Sequence, residues 1–141
     1  MIETALHNNS NLLINNDSIS DLTSLILSNY GHSSAKINII ITDDETLRKM
    51  KKEYFDQDLF TDVIAFNIEE NPFEGEIYIS YHRVKDNATK FNQTFQNEFK
   101  RVLIHGLLHL CGHKDATNKE KTKMSLTEDS FLAQFKNSVI E

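Results

Sequence analysis

Cysteine is almost absent from this chain of 141 residues: Cys111 stands alone, so no intrachain disulfide can form and no multi-cysteine zinc site can be built. That usage suits a reducing cytosol. Proline occurs once and glycine four times, which excludes a collagenous or Pro/Gly-rich disordered chain and leaves no linker to divide the sequence. Residues 1–141 therefore read as a single domain, with 39% hydrophobic and 26% charged residues, large enough to bury roughly two-thirds of its unfolded surface. Long apolar runs are also missing. Ile39 to Ile41 and Leu107-Leu108 fall far short of a membrane span, and Met1-Ile2-Glu3 opens no basic-then-apolar leader. No membrane partner, export signal or anchor is expected, and the localisation read from this is cytoplasmic. The paired asparagines Asn8-Asn9 and Asn15-Asn16 suggest a loosely ordered N-terminal tail.

A surplus of positive charge is lacking too. The net charge of −6, from 15 Lys+Arg and 21 Asp+Glu, argues against a protein that coats nucleic acid through overall charge. The distribution is uneven: residues 1–70 hold 5 Lys/Arg against 12 Asp/Glu, and residues 83–123 hold 9 against 4, a local excess of +5. An anionic partner would dock on that second half, although a solvated helix surface shows the same pattern.

Periodicity gives the elements. A helix is expected over Ser18 to Tyr30, where Ile19, Leu22, Leu25 and Ile26 recur at helical spacing before Gly31. Ala35 to Ile41 is a β-branched strand, and Thr42-Asp43 cap a second helix to about Phe55. Strands over Asp62 to Ile68 and Glu76 to Tyr81 flank a turn-rich connection through Gly75, and Ser80 or Tyr81 opens a helix through Phe91. The broadest apolar stripe runs through Phe95, Phe99, Val102, Leu103, Leu107 and Leu110, which makes Thr94 to Cys111 the central core helix, stopped by Gly112. Thr117-Asn118-Lys119-Glu120 spells a capping box for a last helix with Met124, Phe131, Leu132 and Phe135. The fold class is α+β: a small mixed sheet of three or four strands packed against several helices.

The chemistry sits on the central helix. His105 and His109, at i and i+4, lie about 40° apart around its axis, so both rings can reach one metal. A left-handed turn at Gly112 would bring Asp115 back to the same face as a third ligand, with His113 its rival. Two imidazoles and a carboxylate suit one Zn²⁺ per chain and leave the fourth tetrahedral position for water, the arrangement of a catalytic site. Cys111 points about 120° away from His105 and is expected in the core. In metalloproteases of this spacing a glutamate follows the first histidine as general base, and here that residue is Gly106. A glycine there implies either close approach of the backbone or a tightly packed helix, and its small side leaves room for a bulky phosphodiester.

The stretch from His105 to Asp115, HGLLHLCGHKD, resembles the signature of the YbeY-type rRNA maturation factors, zinc-dependent single-strand-specific endoribonucleases of bacteria. Thr61-Asp62-Val63-Ile64-Ala65-Phe66 is similar to that family's second motif, and Gly75 to Ile79 to its following strand, so the resemblance runs from about Ala35 to Phe135. It implies an α+β fold, one zinc on His105, His109 and the third motif position, and work on ribosomal RNA at the ribosome, including 16S 3′-end maturation and ribosome quality control. Two positions depart from the family pattern. Many relatives have histidine as third ligand where this chain has Asp115, which makes the site one unit more negative and the zinc a weaker Lewis acid. Many also carry an arginine where Phe55 stands. Lys49, Lys51 and Lys52, or Arg83 and Lys85, are the candidates to supply that charge to a substrate phosphate, with Lys52, Arg83 and Lys85 taken as the substrate-binding set. No catalytic side chain is assigned beyond water activated by the zinc. Single-stranded RNA suits the cleft better than a duplex, with bases stacking on Phe60 or Phe73. The alternatives are a small zinc metalloprotease-like hydrolase and a ribosome assembly factor whose zinc is mainly structural.

Overall fold

Strand alternation sets the layers. In the computed structural model, which describes residues 1–141, Ala35, Ile37, Ile39 and Ile41 of β2 (Ala35–Thr42) and Phe73, Ile77 and Ile79 of β4 (Phe73–Ser80) are all buried. The two strands are parallel neighbours with Ile39 opposite Ile77 and Ile41 opposite Ile79, so these side chains form one apolar face. The remaining strands are β1 (Ile2–Asn8), parallel to β2, and β3 (Val63–Glu70), antiparallel to β4, in the order β1-β2-β4-β3. The five helices are α1 (Asn16–Asn29), α2 (Asp44–Phe55), α3 (Tyr81–Lys90), α4 (Phe95–Leu110) and α5 (Asn118–Gln134). This is the expected α+β class with a mixed sheet, in its four-stranded form. No helix is long and apolar enough to cross a membrane.

The apolar face packs on α4, whose Phe99, Leu103, Leu107 and Leu110 join a core of 23 buried residues. Two glycines let the helix come close. A Cβ on Gly106 would stand 3.0 Å from Ile77 Cγ2 and 3.1 Å from Val63 Cγ2, and one on Gly75 would stand 2.7 Å from Leu110 Cδ1. The close approach inferred at Gly106 is therefore helix against sheet. Its missing side chain faces the core, so the space for a phosphodiester expected there does not exist. Gly75 likewise lies within β4 and not in a turn, a strand residue without a side chain beneath Leu110 of α4, and the hairpin connection shrinks to Asn71-Pro72. On the other face α2 sets Tyr54 and Phe55 against Phe66, at ring separations of 5.5 and 5.9 Å.

The N-terminus departs from the expected loose tail. Residues 2–8 pair in register with residues 35–41, Ile2 against Ala35 through Asn8 against Ile41, because the edge of β2 offers unsatisfied backbone groups that a short extended segment can fill. Asn15 then caps α1 by accepting from Ser18 N at 3.1 Å. The C-terminal segment is held as well: Gln96 accepts from Val139 N (2.6 Å) and Ile140 N (2.9 Å) and donates to Ile140 O (2.9 Å).

Candidate metal centre

The end of α4 builds the site. Gly112, at φ 97°, donates to His109 O at 3.0 Å, and His113 N donates to Leu108 O at 3.0 Å. This pair of bonds is the left-handed Schellman stop anticipated at Gly112, and it turns the chain back along the helix face. Asp115 is thereby carried beside both histidines. His105 Nε2 lies 3.0 Å from His109 Nε2 and 3.1 Å from Asp115 Oδ2, and His109 Nε2 lies 3.3 Å from the same oxygen. Ligands about 2.0–2.1 Å from a metal at tetrahedral angles are about 3.3 Å apart, so the triangle has the size of one face of a zinc coordination sphere. The group could hold a metal ion.

The outer nitrogens fix which lone pairs face inward. His105 Nδ1 is 2.6 Å from Glu128 Oε2 and His109 Nδ1 is 2.9 Å from the His113 carbonyl oxygen, so in the neutral rings each outer nitrogen donates to an acceptor and each Nε2 is left with its lone pair toward the triangle. Two imidazole lone pairs and a carboxylate oxygen then face one another across about 3 Å, an arrangement a cation relieves. Behind His105, Glu128 is buried on α5 and its other oxygen accepts from Arg101 Nη1 at 3.0 Å, while Arg101 Nη2 binds Asp129 at 2.6 Å. Burial pulls the His105 pKa down, but the hydrogen bond and charge of Glu128, with Asp115, outweigh it and hold the ring above the ordinary histidine value.

A cleft of about 440 Å³ opens at the triad, lined also by Thr61, Asp62 and Asn67 and by Lys51 and Phe55 of α2. Burial pushes the Asp62 carboxyl up, and Asn87 Nδ2 donates to it at 3.1 Å. Asn67 donates to Leu110 O at 3.0 Å and ties β3 to the end of α4. The anticipated set is thus divided. His105, His109 and Asp115 are brought together, and His113 instead meets the Tyr30 hydroxyl through Nε2 at 2.6 Å. Arg83 is engaged elsewhere, 2.6 Å from Asp44 and over the Phe60 ring, and neither it nor exposed Lys52 and Lys85 lines the cleft. Lys51 does, with its Nζ 4.7 Å from the centre of the Phe55 ring, one turn before that residue on α2. Of the two aromatics considered for stacking, Phe73 is buried against His32 and Phe60 lies between Arg48 and Arg83. Cys111 is half-buried beside the core, and burial pushes its thiol up to about 11.

Glu128, Arg101 and the cleft role of Asp62 were not reached from the sequence. One signal was there: Glu128 falls on the apolar stripe of α5 with Met124, Phe131 and Phe135, where an acid needs a buried partner.

Comparison with known proteins adds the family. The family described as Endoribonuclease YbeY matches residues 5–136. The protein named Endoribonuclease YbeY of Flavobacterium johnsoniae is 40% identical over 124 residues, spanning 87% of this chain and 89% of that one. Its namesake in Christiangramia forsetii is 48% identical over 100 residues, 70% of each chain. Among solved structures, the solution structure of TM1509 from Thermotoga maritima superimposes with a TM-score of 0.62 at 25% identity, covering 96% of this chain and 92% of that one.

Proposed function

We infer from the membership of this chain in the YbeY endoribonuclease family, to which it belongs, that it is a zinc-dependent endoribonuclease specific for single strands. Its substrate is ribosomal RNA, at the ribosome, in 16S 3′-end maturation and ribosome quality control. His105, His109 and Asp115 are the ligands of one zinc. The observation that supports this most is the closed triangle of donor atoms at 3.0 to 3.3 Å with both outer ring nitrogens already committed. Zinc, when bound, supplies Lewis acidity toward a phosphoryl oxygen and acidifies water.

The chain's own residues do the placing. Asp62 and Asp115 are the acids of the cleft lining, and Lys51 is its one ammonium group. A phosphodiester is steered to the gap between Lys51 and the triad, and Lys51 supplies the positive charge that Phe55 does not. A flexible strand can enter a cleft of this size, whereas a duplex is too broad. Peptide hydrolysis by the glutamate route is disfavoured by the packing at position 106, where a side chain would meet Ile77 and Val63 and not the triad.

The test combines metal content with substrate. Purified protein is expected to carry about one zinc, lost in His105→Ala, His109→Ala and Asp115→Ala but kept in His113→Ala and in Asp115→His, where imidazole can replace the carboxylate. It should cut an unstructured RNA and spare a duplex and a denatured protein. Full zinc in the three alanine variants, or peptidase activity that vanishes with His109→Ala, would overturn the reading.

A further inference from the structure

A chain with 21 acidic residues has a surface groove without one. The groove, about 630 Å³, lies between the end of α1 and α5, away from the metal triad. Lys119 and Lys123 stand on its α5 side, both exposed, four residues apart and therefore on one helix face. Neither makes an ion pair with a carboxylate. Tyr30 supplies an aromatic surface at the end of α1, and Thr122 and Thr127 also line the groove, their hydroxyls donating to the carbonyls of Asn118 and Lys123. By contrast, much of the positive excess of residues 83–123 is already spent: Arg83 on Asp44, Arg101 on Glu128 and Asp129, and Lys100 on the carbonyls of Phe135 and Asn137.

The groove is joined to the site by covalent and hydrogen-bonded structure. Lys123 also lines the adjacent depression formed by Gly112, His113 and Lys114, which is the back of the loop that carries Asp115. The acid of that depression, Glu120, has its carboxylate bound to Thr117 N at 2.9 Å in the capping box. His113 connects the two regions, with its ring on the Tyr30 hydroxyl and its carbonyl on His109 Nδ1.

We propose that this groove is a docking track for single-stranded RNA flanking the scissile bond, with Lys119, Lys123 and Lys114 facing phosphates and Tyr30 stacking a base. The proposal rests on the endoribonuclease reading above and extends it to a surface outside the cleft. Two lysines at helical spacing, an aromatic ring and no carboxylate are the combination that binds a strand without reading its sequence. An anion is favoured at this carboxylate-free groove on a chain whose net charge is −6.

The experiment measures binding of a labelled unstructured 20-nucleotide RNA by fluorescence anisotropy across a salt series, with zinc content and circular dichroism recorded for each protein. The charge-reversed pair Lys119→Glu/Lys123→Glu is compared with wild type and with a pair reversed elsewhere, Lys36→Glu/Lys90→Glu. Loss of two phosphate contacts should make the salt slope shallower by about 1.4 and weaken binding at least roughly tenfold at low salt. Tyr30→Ala should weaken it roughly tenfold and Tyr30→Phe should not, since the phenyl ring keeps the stack while losing the bond to His113. The track is overturned if wild type binds RNA and the groove pair keeps its slope and affinity, or if both reversed pairs lose equally. Wild type that binds no RNA overturns the endoribonuclease reading along with it.

Discussion

Replacing Glu128 by alanine tests whether the triad is built from behind. The carboxylate does two things in the folded chain: Oε2 receives the His105 Nδ1 proton at 2.6 Å, and Oε1 receives Arg101 Nη1 at 3.0 Å. Without it the His105 ring loses the acceptor that holds the neutral ring in its Nδ1–H tautomer and aims Nε2 at His109 and Asp115. Loss of such an outer partner typically costs 10- to 100-fold in metal affinity, about 1.4–2.7 kcal/mol. A stability cost accompanies it, because Arg101 is left half-paired; it still holds Asp129 and keeps 29% of its side chain in water, so this cost should be about 1–3 kcal/mol. The two effects separate with a control. Asp129→Asn weakens the other side of the same guanidinium without touching His105, so it should lower stability slightly and leave metal affinity unchanged. The assay is competition for zinc against a chromophoric chelator, with the increase in melting temperature on adding zinc as a second readout. Glu128→Gln should recover only part of the affinity, since its amide oxygen can accept from Nδ1 but its NH₂ then sets a donor against the Arg101 donor. Zinc affinity of Glu128→Ala within twofold of wild type would refute the reasoning, as would an equal loss in Asp129→Asn.

Two further outcomes follow from packing. Gly106→Ala gains about 1 kcal/mol of helix propensity but must push apart Ile77 and Val63, whose β-branched methyl groups would lie 3.0 and 3.1 Å from the new Cβ. Overpacking costs about 1–3 kcal/mol, so the net effect should be a melting temperature lower by a few degrees, and a rise would show that α4 can lift off the sheet freely. Gln96→Ala removes three hydrogen bonds to Val139 and Ile140, so amide exchange should accelerate at residues 139–141 and at Asn15, whose N–H is bound to Val139 O at 2.8 Å. Unchanged protection there would show that burial of Val139 alone holds the segment.

Where the argument from sequence succeeded, the determinants are local. Helical spacing places His105 and His109 on one face whatever surrounds them, and capping chemistry put Asn118–Gln134 within a residue of its start through Thr117 and Glu120. Gly112 could be read as a left-handed stop because that conformation favours glycine. The N-terminal strand failed for the opposite reason. Ile2 to Asn8 has little pattern of its own, and its stability comes from pairing with residues 35–41 of another strand. Gly75 failed in the same way, since what forbids a side chain there is Leu110 of a helix 35 positions later.

The choice between Asp115 and His113 shows the limit within a single motif. Both follow the stop closely, both are metal-ligand types, and ligand preference does not separate them. The backbone does. Once His113 N closes on Leu108 O, the His113 carbonyl is committed to His109 and its ring meets Tyr30 at the end of α1, while Asp115 stands 3.1 and 3.3 Å from the two histidines. Tyr30 is 83 residues away in sequence, so no reading of the eleven motif residues alone contains it. The same holds for charge in the cleft. Lys51 and Phe55 are four apart on α2, a spacing visible in the sequence, but whether Lys49, Lys51 or Lys52 turns toward the triad depends on how α2 seats Tyr54 and Phe55 on Phe66. Rotation of α2 by one residue, about 100°, would exchange which lysine lines the cleft. The aromatic contacts that fix this rotation therefore decide which cation lines the cleft.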